Sequence, residues 1–145
     1  MHSHEVRFGR GGIFSVTGYG LDDAGNYWQV LEELGLNTKT YNQPLQCGDV
    51  IRLKSAIIGY SLRTDETSFG LTTELLPMVH GMPDDRADAA VNWMIKCVNK
   101  EIGDSLNFGD EIKLKHSVTG KYISLDPSSQ YTEFNCRGCE IIHQI

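Results

Sequence analysis

The chain has 145 residues, 40% hydrophobic and 22% charged, the size and balance of one globular domain able to bury about two thirds of its unfolded surface. Thirteen Lys plus Arg against 19 Asp plus Glu give a net charge of −6, which argues against a duplex-binding surface because neutralising phosphates needs a local excess of cations. No window approaches the ~18 uninterrupted apolar residues of a membrane span, and the opening Met1-His2-Ser3-His4-Glu5-Val6-Arg7 lacks the apolar region of a signal peptide.

In chain order, His2-x-His4 puts two imidazoles on one face of a strand, a geometry metals use, but no third ligand follows nearby, so both read as hairpin histidines. Gly9-x-Gly11-Gly12 has no Gly-Lys-Ser/Thr after it and reads as a hairpin turn rather than a phosphate cradle; Gly18-Tyr19-Gly20 reads as a second turn. Tyr27-Trp28-Gln29-Val30 is a short apolar strand. Val50 to Lys54 alternates polar and apolar residues with the period of a strand buried on one face, and residues 48–61 form a hairpin arm. Asp84-Asp85-x-x-Asp88 lacks the spacing, glycine and terminal Glu of a calcium loop and reads as a solvated acidic loop. A single turn then leads into the strand Asn92-Trp93-Met94-Ile95. Glu111 to Lys115 repeats the alternation, Asp126-Pro127-Ser128-Ser129 reads as a turn, and Cys139-Glu140-Ile141-Ile142 as a weak closing strand.

A repeat joins these pieces. Gly48-Asp49-Val50-Ile51-Arg52-Leu53-Lys54 matches Gly109-Asp110-Glu111-Ile112-Lys113-Leu114-Lys115 at an offset of 61, from 48 to 109, and the match runs on through Gly59 with Gly120 and Leu62 with Ile123. Subtracting 61 from Leu62 lands on Met1, so the first unit is expected to lack its opening strand and to leave an unpaired edge. Three hairpin units with closing strands must share one core, which predicts an all-β chain folded as a β-trefoil. A single module over 1–145 is expected, with repeats of about 1–46, 47–107 and 108–145. Trp28 and Trp93 hold equivalent places in two repeats, which assigns them to the core rather than to sugar stacking.

His2-Ser3-His4-Glu5-Val6, Ser15-Val16-Thr17-Gly18, Asp22-Asp23-x-x-Asn26-Tyr27-Trp28, Gln46 to Leu53, Val79-His80-Gly81-Met82 and Ile112 to Ser124 together resemble MIR-domain proteins, closest to the stromal cell-derived factor two family. The resemblance covers essentially the whole chain. It implies a β-trefoil in the endoplasmic-reticulum lumen and a non-enzymatic accessory role in protein folding and quality control. It further implies a J-domain co-chaperone, an Hsp70-type chaperone and unfolded clients as partners, with glycans as a further ligand class. Where the family tends to carry a His and a Thr-Gly turn, the second repeat has Ser55-Ala56-Ile57-Ile58-Gly59. Neither a signal peptide nor a carboxy-terminal retention signal is visible.

No nucleophile, base and oxyanion set can be assembled, so no catalytic residue, cofactor or metal is assigned. Within the trefoil reading, Cys47 opens the first strand of the second repeat and Cys97 ends its closing strand, which predicts a disulfide between them. Cys136-Arg137-Gly138-Cys139 reads as a local disulfide or a pair of free thiols, because the oxidoreductase version of this motif sits at a helix start in a βαβ fold. The acidic loops at Asp22, Asp23, Asp84 and Asp85 are the candidate partner contacts. Two rival functions remain: a carbohydrate-binding trefoil, and a dithiol oxidoreductase acting through Cys136 and Cys139.

Overall fold

Among the described residues ten strands form a single antiparallel network, and the only helices are three-residue 3-10 turns. The computed structural model describes residues 1–8, 12–36, 43–67, 77–130 and 140–144, with the backbone alone at 8, 126–130 and 140–144. In order the strands are β1 (His2–Phe8), β2 (Ile13–Gly18), β3 (Trp28–Glu32), β4 (Val50–Ser55), β5 (Ser61–Arg63), β6 (His80–Met82), β7 (Trp93–Cys97), β8 (Ile112–His116), β9 (Ile123–Gln130) and β10 (Glu140–Gln144). No helix among the described residues is long and apolar enough to cross a membrane.

The repeat visible in the sequence is a repeat of hydrogen bonds. β3 pairs with β4 from Trp28 opposite Ser55 to Glu32 opposite Ile51, and β7 pairs with β8 from Trp93 opposite His116 to Cys97 opposite Ile112. β4 joins the two pairs by setting Ile51 opposite Trp93, giving the run β3-β4-β7-β8. Two hairpins, β1–β2 and β5–β6, meet through β2 and β6. The turns repeat as well: Gly59 N–H donates to Ser55 O as Gly120 N–H donates to His116 O, both at 2.9 Å. Asp49 and Asp110 each accept a backbone N–H three residues back, from Gln46 and Asn107, across Gly48 and Gly109 with φ of 98° and 90°. That left-handed conformation is why glycine precedes both aspartates.

The inward side chains follow the alternation. Ile51, Leu53 and Ser55 on β4 are buried while Arg52 and Lys54 lie between inside and outside, and the core closes around Val16, Leu62, Val79, Trp93 and Ile95. Trp93 is fully buried with its indole N–H on Leu62 O at 3.0 Å. Trp28 makes the same bond to Met1 O at 3.1 Å and packs against the core, but stays partly exposed. The core assignment therefore holds fully for Trp93 and in part for Trp28.

Three expectations are corrected. β10 is not a closing strand equivalent to β3 and β7: it pairs with β9 and β2, as β6 pairs with β5 and β2, and so is the returning arm of a hairpin. Asp126-Pro127-Ser128-Ser129 is not a free turn but part of β9; the register jumps from Ile141 opposite Asp126 to Glu140 opposite Gln130, and this bulge accommodates Pro127. Ile112, expected to be as buried as Ile51, is 41% exposed against 5%. Ile51 is covered by strands on both sides, whereas at Ile112 β8 has only β7 beside it among the described residues.

Candidate functional site: the acidic loops at the repeat junctions

The loops after β2 and β6 end in the same local device. Asp23 caps the 3-10 turn Ala24–Asn26 by accepting Gly25 N–H at 2.7 Å, and Asp88 caps the turn Ala89–Val91 by accepting Ala90 N–H at 3.0 Å. Each cap stands five residues before its tryptophan, so Asp23 and Asp88 are counterparts. The sequence signal of this device is the Asp-Ala-x-x-x-Trp spacing shared by Asp23 to Trp28 and Asp88 to Trp93. The segment from Asp84 to Arg86 is a further 3-10 turn, so two short turns stand where one was expected.

Each capping carboxylate carries a cation or imidazole from the neighbouring hairpin. Arg63 is clamped between Asp65 and Asp88, with its Nη2 3.0 Å from Asp88 Oδ2. Burial acts to lower the Arg63 pKa, but the hydrogen bonds it donates to Asp88 and Asp65 outweigh it and hold it above the ordinary value. The bond from Arg63 likewise holds Asp88 below the usual carboxylate range. In the first repeat His2 takes the place of Arg63 and His4 that of Asp65. His2 Nδ1 faces Asn26 Oδ1 at 2.9 Å and Asp23 Oδ1 at 3.1 Å; both accept, so Nδ1 carries the proton. A Cβ on Gly25 would stand 2.4 Å from the His2 ring, so only glycine fits there, whereas the second repeat has Ala90.

Behind the caps lies a second matched device. Thr119 N–H donates to His116 Nδ1, which leaves the Nε2 proton to donate to Ala90 O at 3.0 Å. At the first junction Ile58 N–H donates to Ser55 Oγ, Ser55 Oγ meets Ser3 Oγ at 2.7 Å, and Ser3 Oγ donates to Gly25 O at 3.1 Å. Two serines thus span what one imidazole spans at the other junction, and Ser55 in place of a His leaves the connection intact.

The sequence-selected residues fall as follows. The His2 and His4 rings are 4.2 Å apart, but His2 is bound to Asn26 and Asp23 and His4 Nε2 lies 2.9 Å from Thr17 Oγ1. Burial, with the neighbouring His2, pushes His4 down to about 4 against the opposing pull of Asp23, and keeps it neutral at pH 7. Among the described residues no three His, Cys, Asp or Glu side chains are grouped to hold a metal. Asp84 is engaged: Lys54 Nζ and Ser61 Oγ reach its carboxylate at 2.5 and 2.7 Å, and these bonds outweigh burial to hold it below the usual range. Asp22 and Asp85 are exposed. Cys47 and Cys97 are joined, with Cα atoms 5.6 Å apart. Cys136 and Cys139 lie outside the described residues, as do Gly9 and Gly11.

His80 was not singled out by the sequence. It is completely buried opposite Ser15, and among the described residues neither ring nitrogen nor Ser15 Oγ has a hydrogen-bond partner. Burial and the charge of Arg63 push it down to about 4.

The chain is 28% identical to human stromal cell-derived factor 2 over 127 residues, and 31% identical to human stromal cell-derived factor 2-like protein 1 over 129 residues. Both alignments cover 86% of this chain, and 57% and 55% of those proteins. The chain is homologous to the stromal cell-derived factor 2 proteins. It spans little more than half the length of these homologues. No family model matches. Among solved structures, a Caenorhabditis elegans protein of unknown function superposes with a TM-score of 0.82 at 29% identity, covering 99% of this chain and 78% of that one. The SDF2-like protein of Arabidopsis thaliana gives 0.79 at 23% identity, covering 99% and 77%, and supports the all-β fold. The Saccharomyces cerevisiae protein O-mannosyltransferase Pmt1-Pmt2 complex, solved bound to the sugar donor, gives 0.78 at 20% identity, covering 99% of this chain and 21% of that one.

Proposed function

We propose that this chain is a non-enzymatic protein-binding module, one β-trefoil of the MIR type, serving as an accessory factor in protein folding and quality control in the endoplasmic-reticulum lumen. The observation that carries the reading is the homology to the stromal cell-derived factor 2 proteins over 86% of the chain. The partners are a J-domain co-chaperone with its Hsp70-type chaperone, and unfolded clients. The junction chemistry fits this role: the caps, relays and disulfide spend the buried polar groups on structure and leave carboxylates and apolar side chains at the loop surface. Sedimentation of the purified chain with the purified J-domain and Hsp70 pair tests it. Co-sedimentation is expected; independent sedimentation of all three at micromolar concentration contradicts it.

A carbohydrate-binding reading is the alternative, favoured by exposed Tyr19 and Tyr27 near carboxylates, a combination able to stack on and hydrogen-bond a sugar. Glycan-array binding that is lost on replacing both tyrosines would establish it.

A further inference from the structure

The two junctions are copies of one scaffold, so what the fold requires is present in both, and what only one displays is free for another use. Both have the capping aspartate, the 3-10 turn, the tryptophan bond and the relay to the turn carbonyl. They differ at the surface. Around the first junction Tyr19, Leu21, Tyr27 and Ile57 are 43%, 68%, 58% and 57% exposed. These residues are tied to the junction by three contacts: Asn26 Nδ2 donates to Leu21 O, Ala56 N–H donates to Tyr27 O, and the Tyr19 ring lies 4.6 Å from the His2 ring.

At the second junction the residue in the place of Tyr27 is Asn92, 3% exposed and committed to holding Leu34 through its N–H and carbonyl. The loop there, residues 83–87, reads Pro-Asp-Asp-Arg-Ala, and its Asp84 is neutralised by Lys54. Among the described residues of that junction, the large apolar side chain left exposed is Val118, the counterpart of Ile57. The loop of the first junction, residues 18–27, contains Asp22 and Asp23 and no Lys or Arg, and the facing Ala56-Ile57-Ile58 turn has no charge.

We infer that the surface formed by Tyr19, Leu21, Tyr27 and Ile57 with Asp22 and Asp23 docks an extended polypeptide segment in which apolar residues are interleaved with Lys or Arg. This deepens the protein-binding reading and rests on it. Two tyrosines supply large contact area at low entropy cost, and Leu21 and Ile57 add aliphatic area. The carboxylate of Asp22, which has no ion-pair partner among the described residues, selects basic over acidic sequences and speeds encounter at low salt. The preference matches what a folding factor meets, since apolar side chains that a folded client buries are exposed between its solvated cations before it folds.

The test uses a fluorescein-labelled twelve-residue peptide alternating leucine and lysine, and two controls: glutamate in place of lysine, and serine in place of leucine. Fluorescence anisotropy gives Kd for the intact chain, for the Tyr19→Ser/Leu21→Ser double variant, for Ile57→Ser, and for Val118→Ser at the other junction. The far-ultraviolet spectrum and melting temperature of each variant confirm folding. Expected are tenfold or greater weakening in the double variant, a smaller loss in Ile57→Ser, no change in Val118→Ser, and at least tenfold weaker binding of both control peptides. Equal loss at Val118→Ser, unchanged affinity in the double variant, or no binding of the leucine-lysine peptide overturns the inference. Co-sedimentation with the chaperone pair, measured on the same variants, is read separately: if the intact chain binds that pair while the peptide results fail, this surface is wrong and the module reading stands.

Discussion

His80 is the residue whose chemistry is least like its surroundings. Its imidazole is buried with no hydrogen-bond partner in range among the described residues, and burial together with the charge of Arg63 lowers its pKa from 6.5 to about 4 against the opposing pull of Asp65 and Asp88. A folded-state pKa below the unfolded value means that the unfolded chain binds the proton more readily, so stability is complete above about pH 6.5 and is lost as pH falls toward 4. At the lower end the loss from His80 alone is about 3 kcal/mol, and half-buried His4 adds to it in the same window. His80→Leu replaces a buried imidazole that makes no well-formed hydrogen bond among the described residues, so at pH 7 its unfolding free energy should lie within about 1.5 kcal/mol of the parent. Its stability should also decline less steeply from pH 6.5 to 4. An unchanged acid slope in urea denaturation would mean that His80 is not the titrating group. Ser3 and Ser55 make the complementary prediction. Each alone, replaced by alanine, leaves buried polar atoms of the relay to Gly25 O unsatisfied and should cost about 1–3 kcal/mol. The double replacement should cost clearly less than the sum, and strict additivity would contradict the relay.

At the scale of elements, the disulfide ties the turn before β4 to the end of β7 across 50 residues of chain. On the chain-entropy account, replacing both cysteines with serine should lower stability by about 4 kcal/mol, read as a shift in denaturant midpoint that reductant reproduces in the parent chain. A midpoint insensitive to both would show the link is not made in solution. The cysteines, the strands β3, β4, β7 and β8 and the 61-residue offset were legible because strand alternation and Gly-Asp turns are local signals. The role of β10 was not, because Cys139-Glu140-Ile141-Ile142 is apolar enough for either a closing strand or a hairpin arm, and only pairing partners distinguish them. Asp126 to Ser129 has turn composition, yet a bulge opposite β10 keeps it in the strand. The Asp23 and Asp88 caps were half legible: the spacing to tryptophan repeats, but their hold on His2 and Arg63 is a contact between distant segments.

The whole molecule is an acidic β module whose internal charges are largely settled among themselves: Arg63 with Asp65 and Asp88, Lys54 with Asp84, Lys100 with Asp110. What the net charge of −6 leaves for partners is concentrated in carboxylates outside these pairs, such as Asp22 and Asp85. Of the four candidate contact aspartates, Asp84 is the one whose charge is met by a lysine, Lys54. Rim charges of this kind act on association rate more than on affinity, and their effect fades as salt screens them over about 8–10 Å. The most direct measurement of the central claim is the association rate of the chain with the purified J-domain and Hsp70 pair, at low and at physiological salt, for the parent and for Asp22→Lys. The account predicts measurable binding by the parent and a several-fold slower association of Asp22→Lys at low salt, with dissociation little changed and the difference shrinking as salt is raised. Absence of binding by the parent, or identical association rates at both salts, would contradict it.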